Sequence, residues 1–350
     1  MKKSTFTLLI ILMISMITAL VFYNQYDIYK EREQLQELAN KQTEQTNKDN
    51  EVKPTKNTIQ CIGDSLTLGD SKTSYPAILS DLTHMPINKF GGKYDQTIDI
   101  AIRTGRTKIM TNDVTIPATP TPIHINIYDK DNNNIDVLKN SGSNFSSVEI
   151  DGITGKLKYD HDKKTHIFIR DQKGEEKIIL KPTQIKAQFP TFDKNDIAII
   201  FTGTYDPYYT NSIFKTITYQ RGIINQLKTK KYIVVSLTSK RRFPIVDDMN
   251  KVLQEEHGEH FLDFRNYLLK SGLEDAHITP TAQDQKDLAN NYIPSSLLKN
   301  DNLNGNATFN ELLAQQIIQK MIELDYIEES SISNEINKIE DWPVWTALVK

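Results

Sequence analysis

The sequence predicts a three-layer α/β domain built on a parallel sheet, with an inserted all-β module and an N-terminal transmembrane helix. Three observations carry that reading. Apolar runs of strand type alternate with helical segments over residues 58–105 and again over 192–327, the rhythm of a parallel sheet with helices on both faces. Between them, residues 106–191 carry short β-rich runs separated by polar turns, the pattern of an all-β unit. At the amino end a charge-free apolar run covers residues 6–23, behind Lys2 and Lys3.

At the helical rise that run would span about 27 Å, close to the bilayer core of roughly 30 Å. The two lysines keep the short start, within residues 1–23, in the cytoplasm and place the rest of the chain outside. A cleaved signal peptide competes with an uncleaved signal anchor. The run ends Leu20-Val21-Phe22-Tyr23 without a small-x-small site, which favours the anchor. Residues 24–57 read as a stalk: first a segment rich in the helix formers Glu, Gln, Leu and Lys, then a polar tether with Pro54. Ile28, Leu35 and Leu38 are too few for a coiled-coil seam, so the helix reads as solvated.

In the globular part, residues 58–62 form an apolar run that enters a tight turn at Gly63-Asp64-Ser65-Leu66-Thr67. Helices follow at 75–82 and 97–103. In the module, runs at 123–128, 147–150, 156–159, 165–170 and 177–180 read as strands, with turns at 129–134 and 171–175. The α/β rhythm returns with strands at 196–201, 232–237 and 261–264 and helices at 213–227 and 245–256. The last helix, 308–324, places Leu312, Leu313, Ile317, Ile318 and Met321 on one face. Residues 328–350 are a tail, acidic and then closing on Trp342-Pro343-Val344-Trp345, that packs back on the domain or contacts a partner.

The chain of 350 residues is 25% charged with a formal net charge of -3. That balance gives no long-range pull toward nucleic acid. Basic clusters at 228–231 and 240–242 read as solvated strand edges. Cys61 is alone, so neither an internal disulfide nor a cysteine zinc site is available, and it reads as a small apolar residue of the first strand. The sequence shows no metal-ligand cluster and no phosphate-cradling loop, so neither metal nor cofactor is expected.

Gly63-Asp64-Ser65-Leu66 is the most informative string, because it follows the first buried strand and precedes a helix. A serine there sits at the carboxyl edge of the sheet, where open α/β folds bind ligands. With it come Asn88-Lys89-Phe90-Gly91-Gly92, Gly203-Thr204-Tyr205-Asp206 and Asp301-Asn302-Leu303-Asn304 before the final helix. On these four blocks the chain resembles the SGNH/GDSL hydrolase family, over the whole α/β portion. The segments 249–253, 261–265 and 293–297 and the β insert after the second block resemble a subgroup of it. The resemblance implies a flavodoxin-like sheet, a nucleophile at Ser65, an oxyanion amide at Gly92, a side-chain donor at the position of Tyr205 and an Asp-x-x-His pair at Asp301 and Asn304. The chain departs from that pattern twice: Tyr205 stands where asparagine is expected, and Asn304 where the catalytic histidine is expected.

A histidine there takes the serine proton and returns it to the leaving group, with the acid of the same block orienting the ring. Asparagine does not titrate near neutral pH. Losing an oxyanion donor lowers rates by about 10²–10³. Two readings stand side by side. In one, a serine esterase or O-acyltransferase acts on an ester of a cell-surface polysaccharide or another ester-bearing small substrate. Ser65 is its nucleophile, Asp301 its acid, and another residue its base. His277, in the loop leading to the last block, is the candidate among His84, His124, His161, His166, His257, His260 and His277. In the other, the site has changed role and the cleft binds a glycan or a partner protein, Tyr205 offering an aromatic face and Asn304 an amide. Plainer readings make Ser65 and Asp301 turn residues, His277 a solvated loop residue, and His124 and His166 surface residues of the module.

Overall fold

The computed structural model describes residues 57–70, 72–105, 107–207, 212–239, 245–328 and 332. The apolar run at 6–23, the stalk but for residue 57, the basic cluster at 240–242 and nearly all of the tail lie outside them. Among the described residues no helix is long and apolar enough to cross a membrane.

The chain enters through β1 (Ile59–Gly63), whose five residues are all buried. It turns into α1 (Ser65–Leu68), α2 (Tyr75–Thr83), β2 (Ile87–Gly91) and α3 (Thr97–Arg103). The module follows as β3 (Ile109–Thr111), β4 (Val114–Ile116), β5 (Ile123–Ile125), β6 (Phe145–Ile150), β7 (Ile153–Asp160), β8 (Thr165–Arg170), β9 (Lys177–Ile179) and β10 (Thr183–Ala187). The α/β part resumes with β11 (Ile197–Phe201), α4 (Ser212–Gln226), β12 (Lys231–Val235), α5 (Ile245–His257) and β13 (Phe261–Leu262). It closes with α6 (Phe264–Lys270), α7 (Gly272–Asp275), α8 (Ala282–Ala289) and α9 (Ala307–Glu323).

Five strands make one sheet in the order β13-β12-β11-β1-β2, and every pairing is parallel. With the module set aside, the order is second, first, third, fourth, fifth, which is the flavodoxin-like arrangement. Alternate side chains of the central strands serve opposite layers. Ile59, Cys61, Ile197, Ile199 and Phe201 join α2, α6 and α9 in one core, through Leu79, Phe264, Leu313 and Ile317. Ile62, Ala198, Ile200 and Val234 face the other way, toward Ile100 of α3 and Ile223 of α4. A parallel sheet buried on both faces needs apolar residues at every position, which is why these strands read as unbroken runs. Direction reverses between β1 and β11, so the cleft at their carboxyl ends is the topological switch point.

The module is a six-stranded antiparallel sheet, β3-β10-β6-β7-β8-β5, beside the two-stranded β4-β9. Asp151 and Gly152, at φ 49° and 85°, make the two-residue turn between β6 and β7; left-handed backbone at both positions matches the twist of a hairpin. Its core of Ile109, Val148, Leu157 and Phe168 also takes in Ile102 and Ile98 of α3, which therefore serves both sheets.

The alternation of apolar runs missed elements of several kinds, the short helices α7 and α8 among them. β2 lies at the sheet edge and is at best half-buried, so its Ile-Asn-Lys-Phe-Gly has no strand signature. β3, β4 and β10 are short strands defined by their partners. Residues 261–264 split: Phe261 and Leu262 pair with β12, then Asp263 caps α6 by accepting from Asn266 N at 3.3 Å.

Cys61 is fully buried, and burial pushes its thiol up to about 12. Since the thiolate is the reactive form, native protein is expected to give no reaction with a chromogenic aromatic disulfide and one equivalent in denaturant. Reaction under native conditions would show that β1 opens.

Candidate functional site

β1 delivers Ser65 to the switch point by a short capped turn. Asp64 leaves the strand, its Oδ1 accepts from Leu66 N at 2.9 Å, and α1 begins at Ser65. This is an N-cap, which satisfies one of the orphan donors of the first turn. β2 runs so close beside α1 that a Cβ on Gly91 would lie 2.2 Å from the Leu68 nitrogen, so only glycine fits. Ser65 is half-buried.

The turn after β2 then meets the serine. Tyr94 holds left-handed backbone, φ 60°, and its N–H donates to Ser65 Oγ at 2.8 Å. Gly92, expected to supply an oxyanion amide, instead donates its N–H to the Gly63 carbonyl at 3.2 Å. The Gly92 N–H continues the β1–β2 ladder by one residue, and the amide that reaches the Ser65 hydroxyl is that of Tyr94. The Tyr94 amide occupies one of the two lone pairs of the serine oxygen.

The loop after β11 brings Tyr205. Gly203 turns the chain at φ 109°, the Gln96 side-chain amide donates to the Tyr205 carbonyl at 3.1 Å, and the Tyr205 ring lies edge-on to Tyr94 at 5.4 Å. The Tyr205 hydroxyl is buried. It lies close enough to Ser65 and Asn304 to be affected by both, yet makes a directed hydrogen bond to neither. Burial raises the phenol above its ordinary value, the nearby Ser65 and Asn304 polar groups oppose that, and the Asp64 and Asp301 carboxylates add to it. The phenol is therefore a neutral donor, not a base.

The loop before α9 completes the site. Asp301 Oδ1 accepts from the amides of Leu303 and Asn304, both at 2.9 Å, and its Oδ2 from Asn304 Nδ2 at 2.6 Å. Asn306 caps α9 through Phe309 N at 3.1 Å, which fixes where the loop ends. Asp301 thus orients the Asn304 amide as an acid would orient an imidazole. Ser65, Tyr205 and the Asp301–Asn304 pair, named from three blocks of the sequence, share one neighbourhood, since Ser65, Asn304 and Asp301 all act on the Tyr205 phenol.

Four of the histidines have partners away from Ser65. His277 is exposed beyond α7, its backbone N–H bonded to the Glu274 carbonyl at 2.9 Å. His257 Nε2 pairs with Gln220 Oε1 at 3.0 Å, His260 Nδ1 with the Tyr326 hydroxyl at 2.9 Å, and His124 with Asp160 at 3.0 Å. His166, read as a surface residue, is buried in the module with Nε2 at 2.8 Å from the Val137 carbonyl oxygen. Its strand alternates faces, and position 166 falls on the inner one.

Beneath the cleft lie four buried carboxylates, Asp64, Asp95, Asp99 and Asp206. Asp206 receives Thr97 N at 2.7 Å and the Thr216 hydroxyl at 2.5 Å. Asp95 meets Arg103 and accepts from the Ser141 hydroxyl at 2.5 Å. Burial pushes Asp64 up to about 7, against the Leu66 amide that lowers it, and burial pushes Asp99 up to about 7 against the Leu138 amide. Tyr94, Asp95 and Asp206 were not legible as site residues. Glycines at 91 and 92 announce a turn, but nothing in a sequence says which amide of it faces inward. Among the described residues no cluster of His, Cys, Asp and Glu is arranged to hold a metal ion.

No family model and no curated protein matches the chain. Among solved structures it is similar to a protein described as lipolytic of the G-D-S-L family from Desulfitobacterium hafniense, at 13% identity and a TM-score of 0.39 over 75% of this chain and 98% of that one. A second, a member of the lipolytic G-D-S-L family from Veillonella parvula, gives 11% identity and a TM-score of 0.39 over 75% and 96%. A third, from Streptococcus and described as a platelet activating factor, gives 13% and 0.36 over 77% and 86%. The fold assignment rests on this chain's own strand order and on the placement of Ser65 at its switch point.

Proposed function

We propose that this chain is an SGNH/GDSL-hydrolase-like binding module that holds a cell-surface glycan over Ser65 and does not hydrolyse it. One observation carries the reading: the Ser65 hydroxyl accepts from the Tyr94 amide and has the neutral Tyr205 phenol nearby, and the residue that Asp301 orients beside that phenol is the Asn304 amide; none of these three takes a proton near neutral pH. The same groups suit a sugar. Tyr94 leaves 43% of its surface exposed at the mouth, beside the Tyr205 ring, an apolar face with polar neighbours. The apolar run at 6–23 behind Lys2 and Lys3 supports export and a single-pass anchor, with the cleft outside the cell membrane.

The test is a glycan panel, with and without O-acetyl esters, probed with the full chain. Binding is expected to survive Ser65→Ala and to weaken at least about tenfold in Tyr94→Ala, the size of an aromatic anchor. Ester turnover that disappears in Ser65→Ala would overturn the proposal in favour of an esterase or O-acyltransferase. Retention of no glycan would overturn it in favour of a protein partner.

A further inference from the structure

The turn that faces Ser65 is held from outside the α/β sheet. The loop at residues 138–143 of the inserted module bonds to Lys93 and Asp95 of that turn. Gly142 N donates to the Lys93 carbonyl at 2.7 Å, and Lys93 N donates to the Ser143 hydroxyl at 2.8 Å. The Ser141 hydroxyl donates to the buried Asp95 carboxylate at 2.5 Å and itself accepts from Ser143 N at 2.8 Å. At the base of the loop Leu138 N donates to Asp99 of α3 at 2.7 Å. Between the two gripped residues sits Tyr94, a bulky residue in left-handed backbone that an unrestrained chain would leave. α3 carries the same linkage onward: Gln96 holds the Tyr205 carbonyl and Thr97 N is held by Asp206.

We infer that the inserted β module is the positioning element of the site, and that Ser141 and Ser143 fix the strained turn that sets the Tyr94 amide on the Ser65 hydroxyl. Without the clamp the turn relaxes, Tyr94 leaves the left-handed region, and the amide no longer points at the serine, whatever the site binds. The inference is therefore independent of the glycan reading. It gives the insertion a purpose that a ligand-binding appendage would not have: the module lies against the cleft floor through bonds to backbone atoms of the site turn.

Amide hydrogen exchange on the full chain, read by mass spectrometry of peptides spanning 92–96, tests it. In Ser141→Ala/Ser143→Ala the amides of 93–95 are expected to exchange at least tenfold faster, while peptides of β1 and β11 keep wild-type rates. Ser143→Thr, which keeps the hydroxyl, restores protection. Ser147→Ala, whose hydroxyl bonds Gln188 elsewhere in the module, changes nothing at 92–96. Wild-type exchange at 93–95 in the double variant would overturn the inference. If the double variant loses protection throughout, Ser143→Ala alone repeats the comparison with one half-exposed contact removed, and a parallel loss across β1 and 92–96 there would show a merely structural role and overturn it equally.

Discussion

The double variant Tyr205→Asn/Asn304→His is expected to label at Ser65 with a fluorophosphonate at least about 10²-fold faster than the wild-type chain, the lower end of what a positioned general base contributes. The geometry needed is already half built. Asp301 Oδ2 holds the Asn304 side chain at 2.6 Å, and the same carboxylate would accept from an imidazole at that position and orient it toward the serine. Tyr205 has to go as well, because its buried hydroxyl lies near both Ser65 and Asn304. Asn304→His alone is expected to gain less, since the larger ring meets the phenol. The gained rate should rise with pH through the imidazole range and disappear when Ser65→Ala is added. Native circular dichroism with no Ser65-dependent gain in either variant would show that Ser65 and position 304 do not face one another productively.

A second large effect concerns pH and the buried carboxyls. Asp99 has a folded-state value of about 7 against 3.8 for the free group, with burial as the main cause. The folded chain therefore binds this proton more tightly than the unfolded one. Stability from this group is present at acid pH, falls as pH rises from about 4, and levels off above about 7. Asp99→Asn keeps the shape of the protonated acid without the titration. Relative to wild type, the variant is expected to be about 2–3 kcal/mol more stable at pH 7.5 than at pH 5, because each tenfold difference in proton affinity is worth about 1.4 kcal/mol. Asp64→Asn should behave with the same sign, its carboxyl also lying at about 7. His257, pulled down to about 4 by burial, pushes the wild-type profile the other way, losing stability as pH falls below about 6.5. It cancels in the comparison of variant with wild type. Denaturant titrations at the two pH values measure the difference, and curves that stay parallel would mean that Asp99 ionises freely in the folded chain.

These expectations differ in how much of each was open to a reader of the sequence. The central strands announced themselves because a parallel sheet buried on both faces admits only apolar side chains, as in Ile-Ala-Ile-Ile-Phe of β11. The edge strand β2 did not, since one free side lets Asn88 and Lys89 face solvent. Ser65, Tyr205, Asp301 and Asn304 were legible because each sits at a fixed distance along the chain from a strand end or a helix start, and a strand end is a local property. Tyr94 was not, because its role lies in the direction of one backbone amide. That direction is set by Ser141 and Ser143, far along the chain in the inserted module.

By itself, then, the amino-acid order determined the layers of the α/β domain, the position of the serine turn and the substitution of a titrating side chain by an amide at 304. These follow from periodicity and from the chemistry of single residue types. Only the tertiary structure decided that the Gly92 amide continues a ladder while that of Tyr94 turns to the serine, that a buried phenol lies near both Ser65 and Asn304, and that a module inserted between two strands holds the turn in place. Each depends on which atoms a packed interior brings within about 3 Å of one another, a distance that separation along the chain does not encode.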